Sequence, residues 1–195
     1  MILTRLRERT HEAHGRVEAR VNLFDQTATL ADYRKSLTRF YGFYKPIESQ
    51  IADSLARSLS DFDFNARRKT CLLEKDLRAF GVFPEQMVAF PQCDDLPPLQ
   101  TAGQVLGCLY VLEGATLGGQ IISRHLLLTH GLDATNGAAF FNGYGSENGR
   151  MWRDFGTALR EFAKEDAENE DILQSAERTF AAFEAWFAQG ENGHE

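Results

Sequence analysis

Cysteine is scarce in this chain: Cys71, Cys93 and Cys108 are the only three among 195 residues. Their odd number and lack of paired spacing argue against a disulfide framework and against a zinc site, so buried free thiols are expected. Basic residues are outnumbered, 21 Lys and Arg against 28 Asp and Glu, for a formal charge of −7. With no basic run or basic amphipathic face, neither nucleic acid nor an anionic membrane is expected as a partner. There are five prolines, and Pro84, Pro91, Pro97 and Pro98 all fall in "VFPEQMVAFPQCDDLPPLQT". This stretch reads as a connector rather than a domain linker, because the apolar pattern resumes directly after it. No apolar run approaches the roughly 20 residues of a membrane span, and "MILTRLRER" has no apolar core of a signal peptide. A cytoplasmic protein is the expectation. Sustained strand alternation is missing too.

What remains is helical periodicity in a chain that is 43% hydrophobic. That content and length suit one domain, over residues 1–190, with "GENGHE" leading into a frayed tail at 191–195. The first helix carries Leu3, Leu6, Thr10, Ala13, Val17 and Val21 at spacings of three and four. A second starts near Leu30 and contains Pro46, which removes one helical hydrogen bond and predicts a kink near Gly42 or Phe43. A third is expected over about Ala66 to Phe80, ending at Gly81. A long pattern from Thr101 to His130 follows, then a loop over "GLDATNGAAFFNGYGSENG" with room for a helical turn. Two amphipathic helices close the chain, one through Trp152, Phe155 and Leu159, the other through Ile172, Ala176, Phe180, Phe183 and Phe187. The fold class is all-α: about six long helices in a single-domain bundle.

Two features invite chemistry. In "LEGATLGGQ", Gly114, Gly118 and Gly119 interrupt what otherwise reads as a buried helix, and each costs about 0.5–1 kcal/mol relative to alanine. Gly114 and Gly118 share a face, as they would if something had to approach the helix closely; such pairs also serve simple helix packing. On the first helix, His14 falls roughly 55° from the centre of the apolar stripe and His11 roughly 115° away. His14 is therefore placed to enter a pocket and His11 to face solvent. Glu18, one turn on, can accept from the second ring nitrogen and raise the basicity of a metal-bound imidazole. Arg7 lies two turns before His14, about 10 Å along the axis, like the anionic end of a flat ligand from its centre. A structural histidine on a solvated helix flank fits the same spacings. "GYGSENG" lacks the glycine register and preceding strand of a phosphate loop. Glu8-x-x-His11 and Glu191-x-x-His194 match di-iron spacing, but that site would also need inward carboxylates from partner helices.

Taken together, "LRERTHEAHGRVE", "YVLEGATLGGQ" and "GAAFFNGYG" with the Phe-rich helix after it resemble the heme oxygenase family, in order and over nearly the whole chain. The form "YVLEGATLGGQ" is most similar to the bacterial biliverdin-producing branch, bacteriophytochrome-associated members included. The resemblance implies that His14, four residues after Thr10, is the proximal iron ligand, with Glu18 as the acidic residue beside it. It implies that Arg7 and Arg153 contact the heme propionates and that Phe180 and Phe187 line the heme pocket. Gly114 and Gly118 correspond to the distal-helix glycines over the heme face. The family's aspartate after the first distal glycine is replaced by Ala115, so waters held by backbone carbonyls near Gly114 are the expected substitute.

The implied reaction is cleavage of heme, at once cofactor and substrate, with O2 and an external electron donor to biliverdin, free iron and CO. No flavin, nicotinamide or Fe–S signature is present, so a ferredoxin or flavoprotein reductase is the implied partner, and a bacteriophytochrome a possible acceptor of the bilin. Two other readings stay open. One is a protein of the same fold that handles heme without turnover; the other is a non-heme member of the wider fold.

Overall fold

The structure is a computed structural model, and it describes residues 1–21, 23, 28–58 and 62–189. Among the described residues all regular structure is helical, in the order α1 (Ile2–Val21), α2 (Leu30–Ser58), α3 (Thr70–Ala79), α4 (Pro84–Met87), α5 (Ala102–His130), α6 (Ala139–Asn142), α7 (Asn148–Phe162) and α8 (Asp166–Ala188). The all-α bundle read from the periodicity is the architecture found. The expected frayed tail at 191–195 lies outside the described residues.

The third helix departs from its expected span. Instead of one helix from Ala66 there is a 3-10 turn at Asn65–Arg67, and Arg68 is extended at ψ 135° before α3 begins. The cause is a buried carboxylate on a neighbouring helix. Glu48 of α2 accepts from the backbone N–H of Lys69 at 2.6 Å and of Thr70 at 3.2 Å. These are among the donors that the start of α3 leaves without intrahelical partners. Satisfying them from α2 fixes the helix start at Thr70.

Pro46 does not interrupt α2. The carbonyl it cannot bond, four residues back at Gly42, accepts from Cys93 N–H at 2.8 Å. The proline-rich connector therefore crosses α2 where the helix has an unused acceptor. A Cβ at Gly42 would collide with the Pro91 carbonyl, so glycine is required at this crossing. Gln50 and Ser54 then hold the carbonyls of Pro97 and Leu99 at 3.1 and 2.5 Å, strapping the connector along α2.

α5 is the central helix and packs most extensively against α8. Thr101 caps it in a capping box with Gln104, and Gly131 ends it in the left-handed conformation at φ 68°. At Gly107 it lies close against α8, and a Cβ there would run into the Ile172 carbonyl. By length and composition α5 could cross a membrane, which the reading of apolar runs did not anticipate. Half of its most apolar window is buried inside the bundle, as befits a core helix.

α1 lies along α8 in the same direction. Arg9 pairs with Glu177 at 2.8 Å and Glu170 at 3.4 Å, and Arg16 pairs with Glu184 at 3.0 Å. Such part-exposed pairs add little stability. Their seven-residue spacing on both helices nonetheless fixes which turn of α1 meets which turn of α8. Of α1 only Ile2, Leu6 and Thr10 are fully buried, so its second half is held less deeply than its first.

α6 is a single turn whose first N–H groups are met by Asp76 of α3, from Ala139 at 2.7 Å and Phe140 at 2.8 Å. The Asp76 carboxyl is fully buried, and burial pushes its pKa up to about 6 although both N–H groups favour the ionised form. The folded state thus holds this proton more tightly than the unfolded chain. The contribution of Asp76 to stability is largest below its ordinary pKa of 3.8 and falls as pH rises to about 6, by on the order of 3 kcal/mol. In Asp76→Asn, urea unfolding between pH 4 and pH 7 is expected to lose this downward slope. An unchanged slope would place its origin in another group.

Candidate functional site

His14 stands on the half of α1 that is less deeply buried, with 55% of its side chain exposed. Its ring meets the edge of Phe180 on α8 at 5.9 Å between centroids. Nδ1 lies 3.5 Å from a carboxylate oxygen of Glu18, the orientation the i, i+4 spacing predicts, and this leaves Nε2 as the nitrogen turned away from that partner.

The three glycines of "LEGATLGGQ" divide into two kinds. Gly119 is buried, and a Cβ there would lie 2.7 Å from the Phe141 carbonyl, so it lets α5 approach α6. This one serves packing. Gly114 is half-buried, and a Cβ would make only ordinary contact, 3.8 Å, with the Trp152 ring of α7. At Gly118 a Cβ would find no protein atom within 4 Å. Ala115 and Leu117 beside it are exposed as well. One side of α5 is therefore left bare in a helix whose other side is core.

A tyrosine links this part of α5 to α1. Tyr110, one turn before Gly114, is a hydrogen-bonding neighbour of Thr10, one turn before His14, and lies near the Arg7 guanidinium. Burial pushes its phenol up, and both neighbours oppose that shift. The Thr10 hydroxyl itself donates to the Leu6 carbonyl at 2.8 Å. The turns that carry His14 and Gly114 thus start from adjoining anchor points.

The other candidates are less closely gathered. Phe180 is buried against His14, whereas Phe187 belongs to an aromatic cluster, stacked on Phe183 at 4.6 Å and meeting Phe40 at 5.0 Å. Arg7 is exposed near Tyr110. Arg153 is exposed on α7, next to Trp152, and forms no hydrogen bond or ion pair with another candidate among the described residues. Glu191 and His194 lie outside the described residues, and among the described residues no group of three or more His, Cys, Asp or Glu could hold a metal ion.

Sequence reasoning missed a buried charged cluster directly behind Gly114. The Glu113 carboxylate, 1% exposed, accepts from Arg67 Nη1 at 2.6 Å, Lys69 Nζ at 2.6 Å and the Tyr144 hydroxyl at 2.7 Å. Lys69 also donates to the Tyr144 oxygen at 3.0 Å and the Arg67 carbonyl at 2.9 Å, and Arg67 to the Met151 carbonyl at 3.2 Å. The signal was available: a lone carboxylate in the apolar run "VLGCLYVLEGATLGG" must find a cation somewhere in the chain.

Comparison with known proteins identifies the family and the fold. The heme oxygenase family model matches residues 1–189. A heme oxygenase from Xanthomonas campestris pv. campestris (strain 8004) is 29% identical over 161 residues, covering 80% of this chain and 88% of the relative. The heme oxygenase from Leptospira interrogans superposes with a TM-score of 0.78 at 19% identity, over 96% of this chain and 98% of that one. The NO- and CO-bound heme oxygenase of Neisseria meningitidis does so with a TM-score of 0.78 at 20% identity, over 97% and 91%. The family match runs over nearly the entire length, and the chain belongs to the heme oxygenase family.

Proposed function

We propose that this protein binds heme between α1 and α5 and cleaves it, with O2 and externally supplied electrons, to biliverdin, iron and CO. The observation that carries this reading is the bare side of α5 at Gly118, where a side chain would meet nothing of the protein itself. A core helix has no packing reason to leave that position empty, whereas a flat ligand needs it.

The residues present fit heme. His14 Nε2 would hold the iron, with Glu18 on Nδ1 fixing the ring and raising its basicity. Phe180 would line the pocket beside His14, and Phe187 would extend that wall. Arg7 and Arg153 would hold the propionates and so set which ring edge faces inward. Gly114 and Gly118 would leave room for a small diatomic ligand beside α5; the Neisseria relative is described with NO and CO bound. When bound, heme supplies both the metal that activates dioxygen and the ring carbon that is oxidised. The role left to the protein is to hold, orient and shield.

Electrons would come from a ferredoxin or flavoprotein reductase. The form "YVLEGATLGGQ" supports placement in the bacteriophytochrome-associated branch, in which the bilin would go to a photoreceptor. A second reading has one observation in its favour. Ala115 is exposed and brings no carboxylate to this face, as suits a protein that carries heme without degrading it.

Titration with hemin, followed by ascorbate or a ferredoxin system in air, distinguishes these readings. A stoichiometric Soret band that decays into bilin absorbance is the expected result. A band that persists under those conditions would favour the carrier reading, and no specific band at all would leave only the fold.

A further inference from the structure

We propose that Glu113 is a positioning residue that fixes the glycine segment of α5 over the bound ligand. Its consequence for heme rests on the function proposed above. Residues 113–119 are held from one side only. Ala115, Leu117 and Gly118 are exposed, while Glu113, Thr116 and Gly119 form the buried side. Of these three, Gly119 has no side chain, and Thr116 turns its hydroxyl back to the Glu113 carbonyl at 2.7 Å. Glu113 is the member of this buried side whose side chain bonds to other elements.

Those bonds reach across the molecule. Through Arg67 and Lys69 the carboxylate is tied to the turn before α3; through Tyr144, to the loop after α6; through Arg67 and the Met151 carbonyl, to α7. Glu48 then ties the same turn to α2 through the Lys69 and Thr70 N–H groups. Two buried carboxylates are matched by two buried cations, and Lys69 Nζ spends its donors on Glu113, Tyr144 and the Arg67 carbonyl. A buried ion cluster is seldom the most stabilising way to fill such a space, since apolar side chains of similar volume often do as well or better. What charge-assisted bonds add is direction, and here they fix the turn of the helix that carries two exposed or half-exposed glycines.

The test uses Glu113→Gln, with Tyr144→Phe as the milder variant that keeps both ion pairs. In the ligand-free protein, amide hydrogen exchange over residues 114–120 is expected to quicken by roughly tenfold or more in Glu113→Gln, beyond any change in the α2 and α8 cores, with a smaller effect in Tyr144→Phe. In the hemin-loaded, reduced protein under CO, the C–O stretching band is expected to shift or broaden in the same order. Exchange that rises equally everywhere, with an unchanged CO band, would reduce Glu113 to a stabiliser of the core and overturn the inference. If wild-type protein forms no hemin complex the heme reading fails, while the exchange experiment still decides whether Glu113 anchors the segment.

Discussion

His14→Ala protein is expected to fold normally and to lose both the imidazole-ligated hemin spectrum and detectable bilin formation. The first half follows from exposure. The His14 side chain is 55% exposed, and it meets the edge of Phe180 and a Glu18 carboxylate that is itself mostly exposed. Removing it creates no buried cavity and leaves no buried polar group unpaired, so the stability change should stay within about 0.5 kcal/mol, a shift in Tm of no more than about 2 °C. The second half follows from chemistry. Heme iron needs one protein imidazole, and the other histidine on α1, His11, stands further from the apolar stripe than His14 and is exposed. Hemin titration with and without added imidazole is the measurement. Restoration of the Soret band by free imidazole would show that the pocket persists and only the ligand was lost. A band and turnover unchanged from wild type would remove His14 from the site.

How much of this could be read from the sequence depended on whether the determining partner was local. The α1 stripe, the Thr101 cap, the Gly131 stop and the i, i+4 pairing of His14 with Glu18 are set within a turn or two, and sequence spacing finds them. The break at Arg68 is set by Glu48, about 20 residues away on another helix, and nothing in the spacing near Ala66 announces it. The same holds for Glu113. Its oddity was visible in an apolar run, but its partners come from two separate stretches, the turn at Arg67 and Lys69 and the loop at Tyr144, that only the fold assembles. The glycines were legible as a group and illegible as individuals. Helical position distinguishes the face of Gly114 and Gly118 from that of Gly119, whereas the need for close approach depends on the Phe141 carbonyl of another helix.

That division makes adjacent positions give opposite results. Gly118→Phe is expected to preserve or slightly raise Tm, because the new side chain meets no protein atom within 4 Å of its Cβ and phenylalanine is the better helix former. Gly119→Ala, a far smaller change, is expected to lower stability by about 1–3 kcal/mol, since its Cβ would lie 2.7 Å from the backbone oxygen of Phe141 and backbone cannot swing aside as a side chain can. Function should follow the reverse order. The ring at 118 would occupy the bare side of α5, so CO binding to the reduced hemin complex should weaken by more than about tenfold, the equivalent of at least ~1.4 kcal/mol, and bilin formation should fall with it. The alanine at 119 points away from that side and should leave the CO affinity of the folded fraction near wild type. Thermal unfolding and CO titration on the two proteins together separate a space kept for a ligand from a space kept for a neighbouring helix. Equal CO affinity in Gly118→Phe and wild type would mean that the open side of α5 is not the face on which dioxygen is handled.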